Sequence, residues 1–299
     1  MYEENQRPLP PGDSVAVFAH ALAEIERVSS SAPRPSSICG PVVQEPNVAA
    51  QPLFAAICRR LLLPESTLVG FDNLAALVDL AKNGAACLLC MNHRSTLDVP
   101  TLYALIEDQA DLAVFHRILW ISGRKLDEDS GATPVLARCF RRIVVTPKTE
   151  LLAIQSESER GERARKNMRA YRAMHGLRHQ GWVLAVFPAG TRLRPADERT
   201  GQAIREIDSY LRRTDYLVLG HIAGCTLPVS RDRDLSHETP RLDRMVYTFG
   251  PVVEARRWRE QAALRYPELS QRDASRRAIM EDIAALSSVT TAARLSINA

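Results

Sequence analysis

The sequence predicts an α/β domain: a mostly parallel central sheet flanked by helices on both faces. Two observations carry that expectation. The runs Ala86-Cys87-Leu88-Leu89-Cys90-Met91 and Trp182-Val183-Leu184-Ala185-Val186-Phe187 are apolar throughout, as strands covered on both sides must be. Such runs alternate with segments of helical length and pattern, and that alternation marks parallel strands joined by helical crossovers. With 299 residues, 45% of them apolar and 25% charged, the chain has material for a sizeable core.

Residues 1–50 read as an extension. Asp13-Ser14 is placed to cap a helix reaching Val28, and Ser29 to Pro46 is a Ser/Pro-rich linker. The domain proper is expected over residues 51–290. Leu53 to Leu63 reads as a helix ended by Pro64, and Leu68 to Phe71 as a short strand. Asn73 reads as the cap of a helix from Leu74 to Lys82 that Gly84 stops. After the strand at 86–91, a helix runs to about Ile106. Leu112 to Phe115, Leu119 to Ser122 and the β-branched run Ile143-Val144-Val145-Thr146 read as strands. Residues 150–179 read as one long helix with an apolar stripe at Ala164, Met168, Tyr171 and Met174, its arginines on a solvated face. Beyond the strand at 182–187 come a helix near 202–212 and strands at Leu217–Leu219 and Leu227–Val229. Then follow a charged loop from Arg231 to Arg244, a strand Met245–Phe249, a turn at Gly250 and a helix over 257–287.

Composition narrows the function classes. The net charge is +4 and the only lysines are Lys82, Lys125, Lys148 and Lys166, so the cations are nearly all arginine. Arginine suits bidentate contacts to phosphate or carboxylate, whereas a nucleic-acid binder shows a denser basic patch. A small anionic substrate or an anionic surface fits better. The N-terminus is acidic and soon meets Pro8, Pro10 and Pro11, unlike a signal peptide. No apolar run approaches the roughly eighteen residues of a membrane span. The expectation is a cytoplasmic protein, either soluble or held peripherally at the inner membrane surface. Six cysteines in so long a chain suggest no disulfide framework. Cys87 and Cys90 would point to opposite faces of a strand, and no second ligand pair completes a zinc site.

Chemistry concentrates in two polar turns, each directly behind a buried strand. The first is Asn92-His93-Arg94-Ser95-Thr96-Leu97-Asp98. At the carboxyl end of a strand it occupies the place where open α/β sheets bind ligands. His93 and Asp98, five residues apart, meet if the segment between them turns into a helix. Asp98 would then fix the imidazole tautomer and leave the other nitrogen as a base. No nucleophile is built in, so the attacking oxygen comes from a substrate. The same spacing also fits a histidine at a helix start beside a solvated acid. None of the other six histidines has an aspartate at that offset.

The second turn is Pro188-Ala189-Gly190-Thr191-Arg192-Leu193-Arg194-Pro195. Gly190 allows close approach of backbone to ligand, and amides there can stabilise an oxyanion. Arg192 and Arg194 share a face if the backbone is extended and would clamp one phosphate. The plainer reading is a turn with two solvated arginines.

Asn92-His93 with Asp98, then Phe187-Pro188-Ala189-Gly190-Thr191-Arg192, then Leu227-Pro228-Val229 and Phe249-Gly250-Pro251, resemble the glycerol-phosphate acyltransferase/lysophospholipid acyltransferase superfamily in order and separation. The resemblance covers roughly residues 65–255. It implies transfer of a fatty acyl group from an acyl thioester, carried on coenzyme A or acyl carrier protein, to an acceptor hydroxyl, without metal or cofactor. It also implies His93 as general base, Asp98 as its orienter, Gly190 in the turn near the reacting carbonyl and Arg192 as a phosphate ligand. Arg94, Ser95, Lys148, Thr191 and Arg194 join Arg192 as candidate substrate-binding residues. Two departures stand out. Ala189 occupies the place of the superfamily's usual Glu, which is especially characteristic of enzymes that acylate lysophosphatidate. The intermediate motif's usual Arg is replaced by one of Lys148, Arg141 and Arg142. Glycerol 3-phosphate is therefore the expected acceptor, in phospholipid biosynthesis. The alternatives are lysophosphatidate or another lysolipid as acceptor, and a non-catalytic lipid- or carrier-binding protein.

Overall fold

The computed structural model describes residues 41–124, 137, 139–194, 197–230 and 238–295, together with the helical positions 23 and 27. Apart from those two positions, the expected N-terminal helix and the linker up to residue 40 lie outside the described residues. So does residues 231–237 of the charged loop.

Among the described residues nine strands form one sheet: β1 (Val43–Gln44), β2 (Thr67–Val69), β3 (Cys87–Met91), β4 (Ile118–Gly123), β5 (Arg142–Val145), β6 (Val183–Val186), β7 (Tyr216–Ala223), β8 (Val246–Phe249) and β9 (Val253–Glu254). Their order is β1-β5-β4-β6-β3-β7-β8-β2, with β9 alongside β7. The five strands from β5 to β7 in that order are mutually parallel. Antiparallel pairs flank them: β8 and β9 against β7, and β1 against β5. The sheet is thus largely parallel, as expected, with antiparallel margins that the sequence pattern did not indicate.

Each strand of the parallel block has one apolar face for each side of the sheet. Cys87, Leu89 and Met91 pack into one hydrophobic cluster, Leu88 and Cys90 into the other. The two cysteines therefore do point apart, and each side chain is fully enclosed. Burying one such leucine stabilises by roughly 1.5–3 kcal/mol relative to leaving it in water. The first face is covered by α1 (Gln51–Leu61), α2 (Phe71–Lys82), α3 (Asp98–Gln109) and α4 (Leu112–Phe115). Beyond β5 come α5 (Lys148–Ala153) and α6 (Glu157–Leu177). The second face is covered by α6 together with α7 (Ile207–Leu211), α8 (Ala255–Arg265) and α9 (Gln271–Ala285). The chain then continues into α10 (Ser287–Leu295), where Thr290 is buried against Thr248 of β8.

Several expected elements differ for local reasons. Leu112–Phe115 is a helical turn, because the Asp111 carboxylate accepts from the Ala113 amide and starts a helix. The long helix expected at 150–179 is two, since Ser156 caps a new start by accepting from the Glu159 amide. Its buried stripe runs through Lys166, Ala170 and Met174, while Met168 is 55% exposed. Asn167 sets that rotation by gripping both backbone groups of Thr146 at the end of β5. The helix expected at 257–287 is also two, broken at Pro267 and restarted by Ser270. Asn73 does not cap α2. Gly70, at φ +68°, occupies the cap position, and the Asn73 amide donates to the Phe249 carbonyl instead. Leu227–Val229 is irregular rather than a strand, and Val43–Gln44 forms a strand where the composition indicated linker.

Candidate active site

The pairing of β3 with β6 places the two polar turns side by side. The strands run parallel with Cys90 opposite Val186, so both turns emerge at the same sheet edge. The Leu193 amide then donates to the His93 carbonyl at 2.8 Å and ties one turn to the other. On its other side, β3 is extended past Met91 by a side chain. Asn92 donates to the Ile222 carbonyl and accepts from the Ile222 amide, continuing the ladder with β7.

His93 Nδ1 lies 2.8 Å from Asp98 Oδ2, so the expected pair forms. The same oxygen accepts from the amides of Arg94 at 2.7 Å and Ser95 at 3.0 Å. An oxygen receiving two amide protons can only accept from the ring, so the histidine proton resides on Nδ1 and Nε2 is left with a free lone pair. Asp98 is 1% exposed, whereas the His93 side chain is 20% exposed. Nε2 has no partner among the described residues. The Phe187 ring stacks on the imidazole at 4.0 Å with 6° between planes, and Trp120 stacks on Phe187 in turn. Beneath, the Tyr247 hydroxyl donates to the Asp98 carbonyl at 2.8 Å and anchors the start of α3 to β8.

Gly190 adopts φ +66°, and an added Cβ would lie 2.9 Å from a methyl of Ile204. Its own amide donates to the Phe187 carbonyl at 2.8 Å, and Ile204 donates to the Pro188 carbonyl. Gly190 thus shapes the turn, its amide already engaged. Among the described residues the amides of Ala189, Thr191 and Arg192 have no acceptor, so they are free to donate.

Arg192 Nη1 donates to both oxygens of Glu238 at 2.6 Å. The Glu238 side chain is completely buried and that of Arg192 is 16% exposed. Burial raises the Glu238 carboxyl above its ordinary range, opposed by Arg192, the Ser230 backbone and the nearby charge of Arg194. The charge of Arg194 acts on the same carboxylate that Arg192 contacts. Arg194 Nη1 also lies 3.5 Å from the Thr191 hydroxyl. Ser95 is 1% exposed and its hydroxyl accepts from the Leu97 amide, so it shapes the start of α3. The Arg94 carbonyl accepts from the Cys225 thiol, and its charge is felt by His221 on β7.

Of the three cations weighed for the intermediate segment, Arg141 pairs with Glu45 and stacks on Trp182. Arg142 is fully buried near Ser122. Both lie at the amino end of β5, the edge away from the turns. Lys148 follows the carboxyl end of β5, exposed, on the edge that holds His93.

Residues 73–213 match the family model described as Acyltransferase, a span holding both turns and Lys148. That agrees with the superfamily its motifs resemble. No curated protein matches the chain. Among solved structures, the 1-acyl-sn-glycerophosphate (LPA) acyltransferase PlsC from Thermotoga maritima is similar over 88% of this chain and 89% of that one. Identity is 15% and the TM-score 0.42, too low to bear on substrate. Among the described residues, no helix is long and apolar enough to cross a membrane.

Sequence reasoning missed Glu238, Tyr247, Trp120 and the stacking role of Phe187. Phe187 was legible as the last apolar residue before the turn. Glu238 carried no local signal, since its partner lies 46 residues away.

Proposed function

We propose that this protein is an acyltransferase that moves a fatty acyl group from acyl-CoA or acyl carrier protein to a hydroxyl of glycerol 3-phosphate, giving lysophosphatidate. His93 Nε2 takes the proton of the acceptor hydroxyl as its oxygen attacks the thioester carbonyl. The carbon–sulfur bond breaks, and the imidazolium, stabilised by Asp98, returns the proton to the leaving thiolate. The observation that carries the reading is the placement of Arg192 one residue before Leu193, whose amide is bonded to His93. A guanidinium there holds a phosphate close to the base, as a small phosphorylated acceptor requires. The absence of a carboxylate at Ala189 favours glycerol 3-phosphate over lysophosphatidate. Contact with a membrane surface is expected to be peripheral.

The test offers the purified protein an acyl thioester with glycerol 3-phosphate and lysophosphatidate together and identifies products by mass. A monoacyl product is expected. A diacyl product alone would move the enzyme to the second acylation step.

A further inference from the structure

We infer that Glu238 is a positioning residue that aims Arg192 at the acceptor phosphate, an inference that rests on the phosphate role proposed for Arg192. The second turn has no carboxylate of its own, since Ala189-Gly190-Thr191 precede Arg192. The carboxylate beside Arg192 arrives from a segment far along the chain, and it arrives completely buried. Both of its oxygens contact a single nitrogen, Nη1.

That geometry divides the guanidinium into two parts. Nη1 is committed inward. Nε and Nη2 have no partner among the described residues, and neither is among the buried unpaired atoms, so they face solvent. The outward pair is the edge that grips a phosphate with two parallel hydrogen bonds. An arginine held only by its backbone would sample many rotamers, and ordering it on binding would weaken the acceptor's affinity. Glu238 removes that cost by holding one rotamer before the acceptor arrives. Its anchorage is itself composite, because the Ser230 backbone also supports the carboxylate. Ser230 directly follows Leu227-Pro228-Val229. The segment after β7 is thereby linked to the phosphate-binding turn without touching substrate.

Glu238 acts through Arg192, so its removal should move the acceptor's KM and little else. Glu238→Gln keeps the shape and one acceptor oxygen but not the charge. Its KM for glycerol 3-phosphate should rise about threefold or more, and that of Glu238→Ala about tenfold or more, with donor KM and saturated kcat retained. The double variant Arg192→Ala/Glu238→Ala should match Arg192→Ala alone, because the two residues work as one unit. Glu238→Gln carries the test if Glu238→Ala does not fold. Losses that add in the double variant would overturn the inference. So would an unchanged acceptor KM in both Glu238 variants while Arg192→Ala raises it. Equal falls in kcat for every substrate with a lowered thermal midpoint would make Glu238 merely structural and also overturn it. If Arg192→Ala itself leaves acceptor KM unchanged, the phosphate role of Arg192 and the inference about Glu238 fall together.

Discussion

The amide of Leu193 donates to the carbonyl of His93 at 2.8 Å, and this bond joins the turn that carries Arg192 to the turn that carries His93. It is a backbone–backbone bond formed beyond the ends of β3 and β6. The distance between base and arginine is therefore set by backbone, which is stiffer than any pair of long side chains. A reaction that needs its hydroxyl near Nε2 and its phosphate near Arg192 benefits from that stiffness.

His93→Ala should lower kcat/KM by about 10²–10⁴, the usual worth of a general base. The fold should persist, since the ring is partly exposed and stacks only on Phe187. Steady-state assay beside thermal unfolding checks both halves. A native rate would remove His93 from the mechanism.

Asp98→Asn should cost activity on a similar scale, about 10²–10⁴. The amide cannot accept from the ring, the Arg94 amide and the Ser95 amide as Oδ2 does. Unlike His93→Ala, this variant should also lose stability, because the site is buried at 1% exposure. Urea unfolding would show a lower midpoint for Asp98→Asn than for His93→Ala.

Gly190→Ala combines a left-handed backbone at φ +66° with a Cβ placed 2.9 Å from Ile204. The expected loss is about 1–2 kcal/mol from the backbone alone, with more from the contact. Denaturant midpoints measure it, and activity should fall with the displaced turn. A stability equal to wild type would show that the turn can flatten without harm.

Acid should destabilise the fold through His221, whose pKa burial lowers from 6.5 to about 4, with the Arg94 charge assisting. The groups facing it are the hydroxyl of Thr290, which in turn bonds Thr248, and the guanidinium of Arg94. The unfolded chain takes up the proton first as pH falls. Its contribution is thus intact above about pH 6.5 and is lost progressively between there and about pH 4. Urea midpoints at several pH values should fall less steeply for His221→Gln than for wild type across that window. Parallel slopes would assign the acid sensitivity elsewhere.

Much of the fold could be read locally. Cys87 to Met91 and Val183 to Val186 are apolar on both faces, and both proved to be inner strands of the parallel block. The helix breaks were misread, although Ser156, Pro267 with Ser270, and Asp111 each marked one locally. These are capping signals a few residues long. The direction of β8 was not legible, since a four-residue run such as Val246–Phe249 reads the same in either direction. The rotation of α6 misled for a related reason. The apolar stripe through Met168 competed with the grip of Asn167 on Thr146, and the hydrogen bonds prevailed.

By itself, then, the sequence determined that two buried strands each end in a polar turn, and that one turn holds His93 and Asp98 while the other holds Gly190, Arg192 and Arg194. Periodicity, composition and spacing are properties of neighbouring residues, so a single chain segment displays them. Only the tertiary structure decided that β3 lies against β6, that Phe187 stacks on His93, that Tyr247 holds Asp98 from below, and that Glu238 buries itself against Arg192. Each of these joins residues dozens of positions apart. Such contacts form because packing the whole sheet brings their partners together, and no local pattern records which partners those are.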